Sequence, residues 1–88
     1  MSVHLNIDES VFDHKRETTL IQTQGKTIGE NLNYAMRQTP ALKDRIFDTS
    51  GNLWAGILLK LDGKFVYSNH LTTPVGDRDT IEVLKFTG

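Results

Sequence analysis

The sequence predicts a small α+β fold in which one mixed sheet is covered on one face by a single main helix. The chain has 88 residues, about one domain's worth and below the length at which a second independent core becomes plausible. Its hydrophobic pattern alternates near the N-terminus, takes helical spacing after Thr27, and returns to strand-like runs after Asn52. With 38% hydrophobic and 24% charged residues, it is too apolar for disorder and ordinary for a globular fold. No repeat, low-complexity stretch or proline-rich linker divides it, so residues 1–88 are read as one domain with a short C-terminal tail.

Each element has a local reason. Val3, Leu5 and Ile7 alternate with Ser2, His4, Asn6 and Asp8, which is the period of a half-buried strand. A polar break at residues 13–17 follows, and the β-branched stretch at residues 18–23 offers a second strand, suggesting a hairpin. Thr27 followed three residues later by Glu30 has the form of a capping box, so a helix should begin there. Ile28, Leu32, Ala35 and Met36 share one face of it, with Glu30, Asn31, Asn33 and Arg37 free to face water. Pro40 biases Thr39 away from helical geometry and should stop or kink the helix. Leu42 and Ile46, four apart, allow a short second helical piece before the turn cluster at residues 48–52. Residues 53–61 are dense in large apolar side chains and read as a central strand. Asp62-Gly63 supplies a tight turn, with Phe65, Val66 and Tyr67 as the returning strand. Residues 68–79 contain Pro74 and Gly76 and read as loop, and residues 80–86 as a last strand with Ile81 and Val83 on one face.

If the first and last strands lie side by side in the centre of the sheet they run parallel, and the helix supplies the long crossover that a parallel pairing requires. That is the β-grasp, or ubiquitin-like, arrangement. A ferredoxin-like sandwich is the alternative, but it wants a second full helix and residues 40–47 are short for one.

Composition limits the chemistry. Ten Lys+Arg against eleven Asp+Glu give a formal charge of −1, with no basic field to bind nucleic acid or an anionic membrane. No apolar run reaches membrane-spanning length and no secretory leader is recognisable, so a cytoplasmic location is expected. The absence of cysteine rules out disulfides, thiolate metal sites and cysteine nucleophiles. His4, His14 and His70 lack metal-site spacing and read as surface or strand-edge residues. Asp77 and Asp79 lie two apart, as in calcium loops or acid/base pairs, but no bidentate glutamate follows, and a solvated turn is the better reading. No nucleophile elbow, phosphate-cradling loop or dinucleotide fingerprint occurs. Trp54 and Phe65 read as core or sheet-face packing.

Four features together resemble the ubiquitin-like sulfur carriers of the MoaD/ThiS family. They are the helix start Thr27-Ile28-Gly29-Glu30 with Leu32, the hairpin Leu61-Asp62-Gly63-Lys64, the turn Asp77-Arg78-Asp79-Thr80-Ile81, and a glycine at the end of the chain. The resemblance implies a protein that is not an enzyme and binds no cofactor. In the family an E1-like enzyme uses ATP to adenylate the C-terminal carboxylate, here that of Gly88, and sulfur then replaces AMP to give a thiocarboxylate. Sulfur donor and acceptor enzymes complete the set of partners, in molybdopterin, thiamin, cysteine or related biosynthesis. The exposed sheet face would dock the partner near Lys85, Phe86 and Thr87 and the outward residues of the strand from Leu53. A tail ending in glycine can thread a narrow tunnel and adopt backbone angles closed to other residues. Two positions depart from the family pattern. Arg78 stands where glycine is usual, and the chain ends Thr87-Gly88 where the family ends Gly-Gly. A ubiquitin-like protein modifier and a non-reacting β-grasp binding module are the alternative functions.

Overall fold

The computed structural model describes residues 2–11, 19–67 and 70–86. Five strands form one sheet: β1 (Val3–Ile7), β2 (Thr19–Thr23), β3 (Ile57–Leu61), β4 (Lys64–Val66) and β5 (Thr80–Lys85), in spatial order β2-β1-β5-β3-β4. β1 and β5 are parallel at the centre, with His4 opposite Thr80 and Ile7 opposite Val83. The other three pairings are antiparallel. Helix α1 (Ile28–Gln38) lies across one face, and the shorter α2 (Ala41–Ile46) follows it. This is the mixed β-grasp sheet expected from the order of elements. The polar break at residues 13–17, His14 included, lies outside the described residues. Among the described residues no helix is long and apolar enough to cross a membrane.

The core follows from the alternation. Val3, Leu5 and Ile7 of β1, Ile57 and Leu59 of β3, and Ile81 and Val83 of β5 are buried against Ile28, Leu32 and Ala35 of α1 and Leu42 and Ile46 of α2. Each of the Val, Leu and Ile side chains among them contributes about 2 kcal/mol relative to exposure.

The strand expected from Leu53 begins only at Ile57. Residues 53–56 instead form a turn against the end of α2. The Trp54 amide donates to the Ile46 carbonyl (3.0 Å), Leu53 bridges Phe47, and the Ile57 amide donates back to the Trp54 carbonyl (3.1 Å). Gly56, at φ 93°, makes the reversal. The apolar density of this stretch reflects a wrapped turn and not a longer strand. The β3–β4 hairpin closes through Asp62 and Gly63, at φ 51° and 85°, the paired positive angles of a type I′ turn.

Asn31, expected at the water-facing side of α1, is fully buried. It accepts a hydrogen bond from the Thr23 hydroxyl (2.6 Å) and donates to the carbonyls of Gly25 (3.3 Å) and Thr27 (2.8 Å). One amide side chain thus ties the end of β2, the connection to the helix and the helix itself. The spacing of Asn31, three residues after Ile28 and four before Ala35, puts it on the buried face of α1, and it was the polar side chain that pointed to water.

The first turn of α1 is satisfied in full. The Ile28 amide donates to the Thr73 carbonyl (3.0 Å), the Gly29 amide to the Leu71 carbonyl (2.9 Å), and the Glu30 amide to the Thr27 hydroxyl oxygen (3.1 Å). The Glu30 carboxylate accepts from the Lys26 amide (2.9 Å), one residue before the usual capping-box partner. Docking of residues 71–75 on the helix start explains Gly29. A Cβ there would stand 2.7 Å from the Leu71 carbonyl oxygen.

The turn into β5 is equally structural. The Asp77 carboxylate accepts the Ser2 amide (2.9 Å), the Asp79 carboxylate accepts the Gly76 amide (2.7 Å), and the Arg78 amide donates to the Ser2 carbonyl (3.0 Å). Arg78 sits at φ 72°, in the left-handed region. A glycine would suit that position without strain.

Three outcomes are expected in urea unfolding. Asn31→Ala removes three hydrogen bonds of a buried side chain, leaving the Thr23 hydroxyl only its long bond to the Val3 carbonyl (3.4 Å), and lowers stability by about 2–3 kcal/mol. Gly29→Ala gains about 1 kcal/mol of helix propensity but must displace the Leu71 backbone, for a net loss of about 1–3 kcal/mol. Arg78→Gly relieves about 1–2 kcal/mol of left-handed strain against about 0.4–1 kcal/mol of added unfolded-chain entropy, and raises stability slightly.

Candidate functional site

The sheet face turned away from α1 is built by the residues that alternate with the core. Strand register sets Leu20, Asn6, Glu82, Lys60 and Phe65 in one row across all five strands. A second row places His4 between Gln22 and Thr80. Towards the C-terminal end of β5, Leu84 stands opposite Leu58, and Tyr67 lies on the same face, its ring centroid 6.0 Å from that of Phe65. Phe86 continues the outward series of Glu82 and Leu84.

The face is therefore divided. Its β1–β2 half carries His4, Asn6 and Gln22, with Leu20 exposed among them. Its β3–β4–β5 half carries Glu82 and Lys60 beside an apolar group open to solvent, with Leu58 37%, Phe65 44%, Phe86 65% and Tyr67 83% exposed. Surface aromatics gathered in this way mark a site of contact more than scattered single residues do. The Lys60 ammonium lies 4.8 Å from the centre of the Phe65 ring, a cation–π contact at the margin of the patch.

The root of the C-terminal tail adjoins this patch. On one side of the strand the Phe86 amide donates to the Gly56 carbonyl (2.6 Å), and on the other the Lys85 amide donates to the Ser10 hydroxyl oxygen (3.0 Å). Phe86 is thus on the outward face. Lys85 has the opposite parity and lies on the helix side, where it lines a cleft of about 260 Å³ with Val11, Asp44, Arg45, Trp54 and Ala55. The two residues named together from the sequence lie on different sides of the sheet. Thr87 and Gly88 lie outside the described residues.

The outward residues Leu84, Phe65 and Tyr67 were not singled out for docking from the sequence. Their signal was the even-numbered apolar series Leu84 and Phe86 beside the odd-numbered core pair Ile81 and Val83, and the unbroken run Ile57, Leu58 and Leu59, which is apolar on both faces of β3. Trp54 is half exposed and is fixed by its indole N–H, which donates to the Asp44 carbonyl (2.8 Å). His4 lies on the outward face, and His70 borders a cleft with Trp54 and Ile57. Among the described residues no group of three or more His, Asp or Glu side chains is placed to hold a metal ion.

No protein-family model matches the sequence, and no curated protein does so. Solved structures do match in three dimensions. SAMP1 from Haloferax volcanii superposes with a TM-score of 0.76 at 21% identity, covering 100% of this chain and 99% of its own. CysO from Mycobacterium tuberculosis gives 0.71 at 16% identity, covering 94% and 99%. A chain of the Amycolatopsis orientalis BexX/CysO complex gives 0.72 at 17% identity, covering 96% and 97%. The likeness runs over nearly the whole of each chain, and at these identities what it establishes is the fold: the protein is a β-grasp domain of the ubiquitin-like architecture shared by SAMP1 and CysO.

Proposed function

We propose that this protein is a cytoplasmic sulfur carrier of the MoaD/ThiS type, whose reacting group is the C-terminal carboxylate of Gly88. The observation that carries the reading is the clamped end of β5, set between neighbours in mid-sheet with Phe86 on an apolar outward face. Such an arrangement suits a division of labour in which a folded face supplies affinity and a chain end supplies chemistry. Leu58, Phe65, Leu84 and Phe86 would meet an E1-like adenylating enzyme, with Lys85 and Thr87 flanking the chain that enters it.

The chemistry needs no side-chain catalyst in the carrier. A carboxylate resists nucleophiles. When its oxygen attacks the α-phosphorus of ATP, pyrophosphate leaves and an acyl adenylate forms. Sulfide then attacks the acyl carbon and AMP leaves, so the carbon ends as a thiocarboxylate with no net oxidation or reduction. ATP belongs to the partner enzyme, and the carrier acts as its co-substrate. A chain without cysteine can hold sulfur in this way, and an acceptor enzyme in cofactor or amino-acid biosynthesis would take it.

A second reading is that of a protein modifier, which shares the activation step and ends in an isopeptide bond to a target lysine. It is favoured by the structural likeness to SAMP1, a small archaeal modifier protein. The likeness to a chain of the BexX/CysO complex favours a carrier that docks on a partner protein.

The test is intact mass after incubation with ATP, sulfide and the E1-like enzyme of the same organism. The expected product carries sulfur in place of one oxygen, and removal of Thr87 and Gly88 abolishes it. Leu58→Asp should stay folded and raise KM for the carrier about tenfold, as for a residue central to a contact. An unchanged mass, with an enzyme that loads its own carrier, would remove the carrier reading. Lysine-linked conjugates in its place would favour the modifier, and function that survives the two-residue deletion would point to a non-reacting binding module.

A further inference from the structure

We propose that Ser10 is the positioning residue of the tail, its hydroxyl fixing the direction in which the chain leaves the sheet. The proposal rests on the carrier reading and adds to it a device on the opposite side of β5 from the docking patch.

The need for such a residue comes from a mismatch in strand length. β1 ends at Ile7, opposite Val83, whereas β5 continues to Lys85. The parallel ladder makes its last backbone bond where the Asp8 amide donates to the Val83 carbonyl (2.8 Å). Beyond that point β1 turns away into a single 3-10 turn, Glu9–Val11, closed by the Val11 amide on the Asp8 carbonyl (3.0 Å). The next amide of β5 on this side belongs to Lys85, and no carbonyl of β1 remains in register to accept it. The Ser10 hydroxyl oxygen accepts it instead, at 3.0 Å. A side chain here takes the place of a strand.

Ser10 is itself held. Its amide donates to the Asp8 carboxylate (3.1 Å), and the adjoining Val11 is buried, 2% exposed, which anchors the turn in the core. On the far side Gly56 accepts the Phe86 amide. Successive residues of β5 turn their amides to opposite neighbours, so Ser10 and Gly56 together restrain both sides of the strand up to its last described residue. Without the Ser10 bond, β5 would be held beyond Val83 from the β3 side alone, and its end at Phe86 would be free to pivot. A reacting carboxylate that must meet a phosphorus atom in line is sensitive to displacement of this kind.

The test compares wild type with Ser10→Ala and Ser10→Thr. Amide exchange followed by NMR should show Lys85 exchanging about fivefold faster in Ser10→Ala, the equivalent of one ordinary hydrogen bond. Leu5 and Ile81, in the core, should be unchanged. With the E1-like enzyme of the same organism and ATP, pyrophosphate release should show kcat lowered about threefold to tenfold and KM within about twofold of wild type, because the outward patch is intact. Ser10→Thr keeps the hydroxyl and should restore both readouts. Lys85 protection that is equal in wild type and Ser10→Ala overturns the proposal, as does an unchanged kcat alongside a faster-exchanging Lys85 amide. A wild-type protein that the enzyme fails to adenylate overturns the carrier reading instead, an outcome separate from either of these.

Discussion

The parallel pairing of β1 with β5 is the constraint on which the rest of the molecule depends. Two parallel strands cannot be joined by a tight turn, so the chain between them must travel the length of the sheet and return on one face. Helix α1 makes that journey. It covers the buried row of Leu5, Ile7, Ile81 and Val83, and the opposite face is left with no element of the described chain upon it. The same pairing puts the last strand in the middle of the sheet, so the C-terminal end of the fold is among its best-supported parts.

The motifs that resemble a carrier family are, in this structure, joints of the fold. Thr27 caps the helix, Gly29 admits the Leu71 backbone, and Glu30 holds the Lys26 amide. Asp77 and Asp79 hold the amides of Ser2 and Gly76, while Asp62 accepts the Thr80 amide (2.9 Å) and joins the β3–β4 hairpin to the start of β5. Each of these contacts joins two parts of the chain. They keep three connections closed, so that the outward face and the end of β5 hold a fixed relation to each other.

Much of this was legible in the sequence because the physics involved is local. Alternation in β1 and β5, the cap at Thr27, the break at Pro40 and the turn at Asp62-Gly63 each depend on a few neighbouring residues. The misreadings were of another kind. Asn31 falls on the buried face by its spacing from Ile28 and Ala35, but its polar side chain pointed to water, and it is the Thr23 hydroxyl and the carbonyls of Gly25 and Thr27 that satisfy it inside. Residues 53–56 had the apolar content of a strand but were captured by the end of α2. The candidate site was legible in part. Phe86 could be placed beside the tail, whereas the separation of Lys85 from it and the addition of Phe65 and Tyr67 depend on strand order and register. Ser10 gave no signal, since its role arises from where β1 stops relative to β5.

The central placement of β5 also has a mechanical meaning. A pull on the chain end is directed along β5, between two neighbours that run beside it, so it loads the hydrogen bonds of both ladders together in shear. A terminal strand at a sheet edge, pulled the same way, would have one ladder instead of two to share the load. Strain that enters through β5 is therefore shared by β1 and β3 before it reaches the helix.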